Sequence, residues 1–192
     1  MALPHYTGRE PHGGWGRTVP RLVLINGAPG TGKSTLARLY AERHPLTLAL
    51  DLDVLRSMLG GWAEWSTEAG LLTREMAIEA ARVHLRAGHD VLVPQLLGRM
   101  DFVLRLEQLA TEAGAAFVEI VLVADAAQLE KRLAESGMEH RLNAARQPDT
   151  YERLARVVEQ RAATLAIQSR EGELEEMYNA LCAGLRHAST SA

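Results

Sequence analysis

One eight-residue stretch near the start of the chain constrains its fold and chemistry more than any other. It reads Gly27-Ala28-Pro29-Gly30-Thr31-Gly32-Lys33-Ser34 and matches the spacing G-x-x-x-x-G-K-[ST] at every fixed position. Glycines let a backbone curl so that several N–H groups point at one phosphate, and a helix that begins there adds its positive end. We therefore expect these residues, here called the phosphate loop, to bind the phosphates of ATP or a close relative.

The polar side chains at the end of the phosphate loop have separate chemical roles. Lys33 supplies an ammonium group for the β- and γ-phosphates, and the Ser34 hydroxyl is a candidate ligand of Mg²⁺. Thr35 follows directly and is expected to contact the nucleotide as well. The chain lacks an obvious N-K-x-D pattern for reading guanine, which favours ATP over GTP.

Short apolar runs alternate with helical patterns along the rest of the chain. Strands are predicted at 21–26, 46–50, 90–93, 117–123 and 165–167. Helices are predicted from the phosphate loop to residue 43, over 72–87, 102–113 and 174–185, and after capping-box patterns at Asp125/Gln128 and Asp149/Glu152. Continuous apolar strands that alternate with helices indicate an α/β fold of three layers, a parallel five-stranded sheet with helices on both faces.

Composition divides the chain into one domain and two short ends. Residues 1–20 hold three prolines and four glycines without periodicity, so we expect a flexible tail there. Residues 21–187 form a single predicted domain, and 188–192 form a frayed end. The polar stretch 135–147 is expected to be a mobile insertion within the domain.

Charge and cysteine content argue against several classes of protein. A net charge of −3 gives no general electrostatic case for a nucleic-acid or membrane partner. The single cysteine, Cys182, cannot form an internal disulfide. No apolar run is long enough to cross a membrane and no signal-peptide core is visible, so a cytoplasmic protein is expected. The seven histidines show no metal-ligand spacing.

Two acids and an arginine follow the second predicted strand, at positions 51, 53 and 56. The carboxyl ends of parallel strands meet at one edge of a sheet, so these groups are expected near the phosphate loop if the two strands lie close together. Asp51 is the candidate for helping to hold Mg²⁺ through water, and Asp53 is the candidate base that accepts a proton from an attacking hydroxyl. Arg56 is a candidate for binding substrate. Aspartate also favours helix N-caps, so one acid of the pair is expected to cap a helix.

The order of strand, phosphate loop, helix, strand and D-x-D-x-x-R resembles the small P-loop kinases. That group includes gluconate-kinase-like, adenylylsulfate-kinase-like and zeta-toxin-like proteins and the chloramphenicol phosphotransferase. The resemblance implies a P-loop kinase fold with a short lid after the fourth strand and a catalytic base at Asp53. It also implies that Arg132 lies near the nucleotide and that Arg141 or Arg146, in the lid, stabilises the transferring charge.

The chain departs from the group at the end of its third strand. Many relatives carry an acid there, whereas this chain reads Val93-Pro94-Gln95. No signature identifies the substrate, but Gln95 and Arg99 lie in the region that would bind it. Trp62 and Trp65, in the glycine-flanked stretch 60–70, could either stack on a sugar or base or cover the core.

Together these patterns predict an ATP-dependent kinase that transfers the γ-phosphoryl group to a hydroxyl of a small molecule. A sugar, an antibiotic, a nucleoside or a nucleotide sugar would each satisfy the pattern. A nucleotide or nucleic-acid-end kinase with the same machinery is one alternative. An ATP-binding switch that acts through a partner protein is another, and the missing acid at Gln95 keeps it open. Oligomeric state is not encoded in any motif.

Overall fold

The computed structural model describes residues 19–125, 129, 149–161 and 164–188. Its strands are β1 (Arg21–Gly27), β2 (Leu48–Ala49), β3 (Val91–Pro94), β4 (Ala116–Val123) and β5 (Leu165–Gln168). Its helices are α1 (Lys33–Arg43), α2 (Leu52–Ser57), α3 (Ser66–Arg86), α4 (Met100–Ala113), α5 (Thr150–Glu159) and α6 (Leu174–Ala188). The predicted lid at 135–147 and most of the predicted tail at 1–20 lie outside the described residues.

The five strands form one parallel sheet in the order β2-β3-β1-β4-β5. Strand β1 is therefore central, with β3 on one side and β4 on the other. Because every strand runs in the same direction, all carboxyl ends meet at one edge of the sheet. The phosphate loop leaves the sheet at that edge, from its middle strand. The predicted α/β class and the five-stranded parallel sheet are confirmed.

Helices cover both faces of this sheet, as the continuous apolar strands predict. Side chains of successive strand residues point to opposite faces. Leu22 and Leu24 of β1 belong to the core shared with α3 and α4, while Val23 and Ile25 belong to the core shared with α1 and α6. All four side chains are fully buried. Burial of β1 on both faces explains why its sequence lacks the apolar–polar alternation of a surface strand.

Strands β2 and β3 differ slightly from their predicted bounds. Strand β2 is shorter than 46–50 because Leu46 adopts a left-handed backbone (φ 62°) and the Thr47 N–H bonds back to the carbonyl of His44 (3.1 Å). Strand β3 begins one residue later than predicted, directly after Asp90. The Asp90 carboxylate holds Arg21, accepting from its backbone N–H at 2.8 Å and from Nε at 3.0 Å. Asp90 thus joins two neighbouring strands at their amino ends.

Helix α3 buries a different face from the one that its large apolar residues suggest. The recurring residues Leu72, Met76 and Val83 are exposed, by 52%, 37% and 63%. The buried positions are mostly small, and they are Ala69, Thr73, Ala77, Ile78, Ala81 and Leu85. The helix also begins at Ser66, so the predicted loop at 60–70 is shorter than expected. Small residues allow close approach of the helix to its neighbours, which periodicity of large residues alone does not reveal.

The helix start predicted at Asp149 is confirmed, since Asp149 is the N-cap of α5, but its capping box does not form. The other predicted start lies largely outside the described residues. Within the described part of the chain, the Asp149 side chain makes no capping bond, and it pairs instead with Arg153. Glu152 pairs with Arg156 (3.2 Å) in place of closing a capping box. Residues 126–128 of the other pattern are not described, although the Leu129 N–H bonds to the Asp125 carbonyl at 3.0 Å. No described helix combines the length and the apolar composition that a membrane crossing requires.

A buried ion pair between β4 and the end of α5 gives the first testable prediction. Glu119 has a side chain only 3% exposed, and it accepts from Arg161 Nε at 2.7 Å. Arg161 also binds Glu107 of α4 at 2.8 and 3.1 Å, and these bonds raise the pKa of its guanidinium. Arg161→Ala is expected to lower the free energy of unfolding by about 3–5 kcal/mol, because it leaves the Glu119 carboxylate buried without its partner.

Urea unfolding measures this cost, and Glu107→Ala is the control. Glu107 binds the same guanidinium but is 41% exposed, so its removal is expected to cost at most about 1 kcal/mol. Equal losses of unfolding free energy in Arg161→Ala and Glu107→Ala would show that burial of Glu119 does not determine the cost of removing Arg161. Adding Glu119→Gln to Arg161→Ala is expected to recover part of the stability, because the uncompensated charge is then gone.

Candidate active site

The phosphate loop has positive φ angles at the two fixed glycines of the motif, Gly27 and Gly32. Gly27 has φ 146°, and a Cβ atom there would lie 2.8 Å from the carbonyl oxygen of Leu122 on β4. Gly32, which precedes α1, has φ 83°. Any side chain at position 27 would push β1 away from β4, and any at 32 would strain the helix start. The motif therefore requires glycine at positions 27 and 32 for different structural reasons: close approach to β4 at Gly27 and a left-handed backbone at Gly32.

Helix α1 begins inside the phosphate loop and directs its amino end to the same edge of the sheet. The first N–H groups of a helix have no acceptor within the helix, and here no described side chain caps α1. The first turn also contains no acidic residue. Amide hydrogens and the positive end of the helix dipole thus converge on one point, which is the arrangement that binds a phosphate.

Lys33 lies folded over the phosphate loop. Its Nζ donates to the carbonyls of Gly27 and Ala28, each at 2.8 Å. The ammonium group is thereby held against the backbone of the phosphate loop. Ser34 is half-buried in the first turn of α1, and Thr35 is exposed. A hydroxyl and a carboxylate at this edge are oxygen donors of the kind that Mg²⁺ prefers, so Ser34 and Asp51 fit the ion chemically.

Two buried polar residues outside the motif anchor the phosphate loop. Asn26 is fully buried; its Oδ1 accepts the N–H groups of Gly27 and Leu97, both at 2.9 Å, and its Nδ2 donates to the Leu97 carbonyl at 3.1 Å. On the other side, the Ser169 hydroxyl donates to the carbonyl of Thr31 at 3.0 Å. Sequence reasoning missed both residues as parts of the site. A polar side chain at the end of an apolar strand was the available signal for Asn26.

Removal of Asn26 is expected to destabilise the protein clearly. Asn26→Ala leaves two N–H groups and one carbonyl in a buried region without their partner, which should lower the free energy of unfolding by about 2–4 kcal/mol. Thr73→Val is the matched control, because Thr73 is also buried but its hydroxyl has no hydrogen bond to any described residue. The control should cost less than about 1 kcal/mol. Chemical denaturation compares the two, and similar losses would contradict an anchoring role for Asn26.

The two acids after β2 have different local environments. Asp51 is the N-cap of α2, and its Oδ1 accepts the backbone N–H of Asp53 at 2.9 Å. Asp53 lies in the first turn, and its Oδ1 accepts from Arg56 Nη2 at 2.9 Å. The expected capping aspartate is therefore Asp51. Arg56 binds Asp53 and stands over the ring of Trp62 at 5.2 Å, so it links the acid to the tryptophan.

The acids and the phosphate loop share one edge of the sheet but do not follow adjacent strands. Strand β3 lies between β2 and β1, so the two ends are separated by two strand spacings, roughly 10 Å. Gln95 directly follows β3 between them, and its N–H extends the sheet by bonding to the carbonyl of Ile25 (3.1 Å). The gap above β3 is therefore flanked by the phosphate loop on one side and by α2 on the other.

The remaining predicted substrate residues lie farther along the same edge. Arg99 is the N-cap of α4 and lines a cleft of about 330 Å³. Trp62 is half-buried, whereas Trp65 is 65% exposed and does not cover the core. Arg132, Arg141 and Arg146, which sequence analysis assigns to the nucleotide and the lid, lie outside the described residues.

Comparisons with known proteins agree with this architecture. Residues 22–145 match the model of a family described as AAA domain. No curated protein matches the chain in sequence. One similar solved structure is that of a kinase candidate from Chloroflexus aurantiacus. It has a TM-score of 0.64 and 22% identity, over 90% of this chain and 100% of that one.

Two further similar structures are enzymes with named substrates. An APS kinase from Mycobacterium tuberculosis, solved with AMPPNP and APS, has a TM-score of 0.58 and 19% identity, over 88% of this chain and 99% of that one. A gluconokinase from Sinorhizobium meliloti has a TM-score of 0.55 and 19% identity, over 91% of this chain and 96% of that one. At these identities the likeness concerns the fold. The chain therefore belongs to the AAA domain family and has the fold of the small P-loop kinases.

Proposed function

We propose that this protein is an ATP-dependent phosphotransferase that moves the γ-phosphoryl group to a hydroxyl of a small molecule. The observation that carries the proposal is the gap above β3, with the phosphate loop on one side and Asp53 on the other. A separation of roughly 10 Å leaves room for an acceptor hydroxyl between a carboxylate base and a phosphate. A site that only held ATP would not need a proton acceptor on the far side of that gap.

Each residue of the site has a separate proposed role in this transfer. The curled backbone and Lys33 hold the phosphates and stabilise negative charge as it develops. Asp53 accepts the hydroxyl proton of the acceptor while that oxygen bonds to the γ-phosphorus, and ADP leaves. Arg56 keeps the carboxylate of Asp53 in position through their 2.9 Å contact. Ser34 would ligate Mg²⁺ beside the phosphates, and Asp51, on the far side of β3, would help to hold the ion through water. When bound, Mg²⁺ would neutralise phosphate charge.

The lid arginines and the substrate residues complete the proposal. Arg132 would contact the nucleotide, and Arg141 or Arg146 would stabilise the charge of the transferring group. In sequence, these arginines precede α5, whose N-cap Asp149 pairs with Arg153 in its first turn. Trp62 would pack against an acceptor held near Arg56, and the contact between the Arg56 guanidinium and the Trp62 ring supports this role.

An ATP-binding switch is the second candidate, and one observation favours it. Strand β3 ends at Pro94 and is followed by Gln95. Many relatives by sequence resemblance carry an acid in this region, and Gln95 cannot supply a negative charge to a metal site. If Asp51 does not replace that acid, phosphoryl transfer would be weak and ATP binding would dominate. The two functions differ in whether an acceptor is consumed.

The experiment that tests the proposal is ADP release from Mg-ATP in the presence of pooled acceptors. The pools are sugars, nucleosides, nucleotide sugars, hydroxylated antibiotics and oligonucleotide ends. The proposal predicts that at least one small-molecule pool stimulates ADP release. Stimulation by oligonucleotide ends alone would favour a nucleic-acid-end kinase. ATP binding without stimulation by any pool would favour the switch.

A further inference from the structure

A cleft lined by the loop that follows β3 contains several charged side chains. It measures about 330 Å³ and lies between α3, the loop after β3, the start of α4 and the first turns of α5. That volume is at the lower end of the range for small-molecule sites. The charged residues that line it are Arg74, Glu75, Arg99, Asp101, Arg105 and Arg153.

The acids near the cleft neutralise only part of this positive charge. Glu75 is held by Arg105 through two bonds of 2.8 and 2.7 Å, and Arg153 pairs with Asp149 outside the lining. Within the described part of the chain, Arg74 and Arg99 form no ion pair, and Asp101 is the acid that faces them. Two arginines therefore stand against one carboxylate.

Backbone features add to the positive character of the same wall. Helix α4 has 14 residues, begins in the cleft, and has no described side chain capping its amino end. Asp101 in its first turn offsets part of this dipole. Gly98 lets α5 approach, because a Cβ atom there would lie 3.0 Å from the Cβ of Arg153. The absence of a side chain at position 98 thus lets Arg153 line the cleft.

The floor of the cleft is connected directly to the phosphate loop. Leu97 lines the cleft, and both its N–H and its carbonyl bond to the side chain of Asn26. Asn26 in turn holds the N–H of Gly27, the first residue of the phosphate loop, at 2.9 Å. A molecule in the cleft would therefore rest on the same hydrogen-bonded unit that shapes the phosphate site.

We propose that this cleft binds an anionic group of the acceptor through Arg74 and Arg99, so that the substrate is a small hydroxylated carboxylate or phosphate ester. This inference rests on the proposed phosphotransferase function. Guanidinium groups bind carboxylates and phosphates through paired, charge-assisted hydrogen bonds. Anchoring at the cleft would leave the rest of the acceptor free to extend over β3, toward Asp53 and the phosphate loop.

Pools sorted by charge test the inference by ADP release from Mg-ATP. Three pools are used: neutral sugars, sugar acids and sugar phosphates. A charged pool is expected to stimulate release more than the neutral one, and the two charged pools separate carboxylate from phosphate recognition. Arg74→Gln and Arg99→Gln should each raise KM for the active acceptor by about 10- to 100-fold, with a smaller change in kcat and an unchanged KM for ATP.

Arg86→Gln is the matched control, since Arg86 ends the same helix as Arg74 but does not line the cleft. It should leave KM for the acceptor unchanged. Stimulation by the neutral pool alone, or equal effects of the cleft and control variants, would overturn the inference and leave the phosphotransferase proposal intact. If no pool supports turnover, the phosphotransferase proposal fails in this assay, and the cleft is then judged by thermal melting without ATP. A charged pool should raise Tm of the unmutated protein but not of Arg74→Gln or Arg99→Gln, and equal shifts would overturn the inference.

Discussion

Lys33→Ala is expected to lower ATP affinity by about 10- to 100-fold and to reduce phosphoryl transfer by a further factor of about 10²–10³. The binding loss follows from removing the charge that stands above the phosphate loop, where Nζ contacts the carbonyls of Gly27 and Ala28 at 2.8 Å. The additional loss in transfer follows because negative charge on the phosphates shifts as the bond to the γ-phosphorus breaks. Isothermal titration with ATP and single-turnover transfer measure the two effects separately.

Arg38→Ala is the control for the loss of a positive charge on α1. Arg38 is exposed and its Nε bonds to the Ser34 carbonyl at 3.3 Å, so its removal should change ATP affinity by less than about threefold. Both variants should unfold within about 1 kcal/mol of the unmutated protein, since neither cation is deeply buried. Equal losses of ATP affinity in both variants would show that general surface charge, and not the position of Lys33, attracts the nucleotide.

Asp53→Asn is expected to reduce transfer by about 10²–10⁴-fold while ATP affinity stays within about threefold. An amide cannot accept the acceptor's proton, but it has nearly the same size and still accepts a bond from Arg56. The backbone of α2 should be unaffected, because the cap is supplied by Asp51. Pre-steady-state transfer to the acceptor identified by ADP release is the measurement. Full activity of Asp53→Asn would remove Asp53 from the proton-accepting role.

Asp51→Asn tests whether Asp51 has a role different from that of Asp53. Asparagine caps helices about as well as aspartate, so the stability of α2 should be preserved. If Asp51 helps to hold Mg²⁺, the variant should need a higher Mg²⁺ concentration for half-maximal transfer, and excess Mg²⁺ should restore most of the rate. Asp53→Asn should not be rescued in this way. A lack of any difference in Mg²⁺ dependence would restrict Asp51 to its capping role.

The fold and the phosphate loop could be predicted from sequence because local patterns encode both. Apolar strands that alternate with helices specify a parallel sheet, and the loop motif specifies its own backbone through Gly27 and Gly32. The buried face of α3 could not be predicted by the same reasoning. Its large residues Leu72, Met76 and Val83 point outward, because close packing on its neighbours selects small side chains such as Ala77.

Tertiary parts of the candidate site were less accessible to sequence reasoning. No sequence motif predicts the order of the strands in the sheet. The position of β3 between the phosphate loop and the acids is therefore known only from the structure. Asn26 is a second example, because its partner Leu97 is 71 positions away in the chain. The cleft is a third, since Arg74 and Arg153 come from helices far apart in sequence. Local motifs therefore predict the phosphate site, whereas a description of the acceptor side requires the fold.

Transfer of radiolabel from ATP labelled at the γ-phosphate tests the central claim most directly. The protein is incubated with labelled ATP, Mg²⁺ and the acceptor pools, and the products are separated into inorganic phosphate and organic phosphate esters. We predict label in a new organic phosphate ester, formed by the unmutated protein and strongly reduced with Asp53→Asn. Label that appears in inorganic phosphate alone, at a rate independent of every acceptor, would contradict the proposed phosphotransferase function.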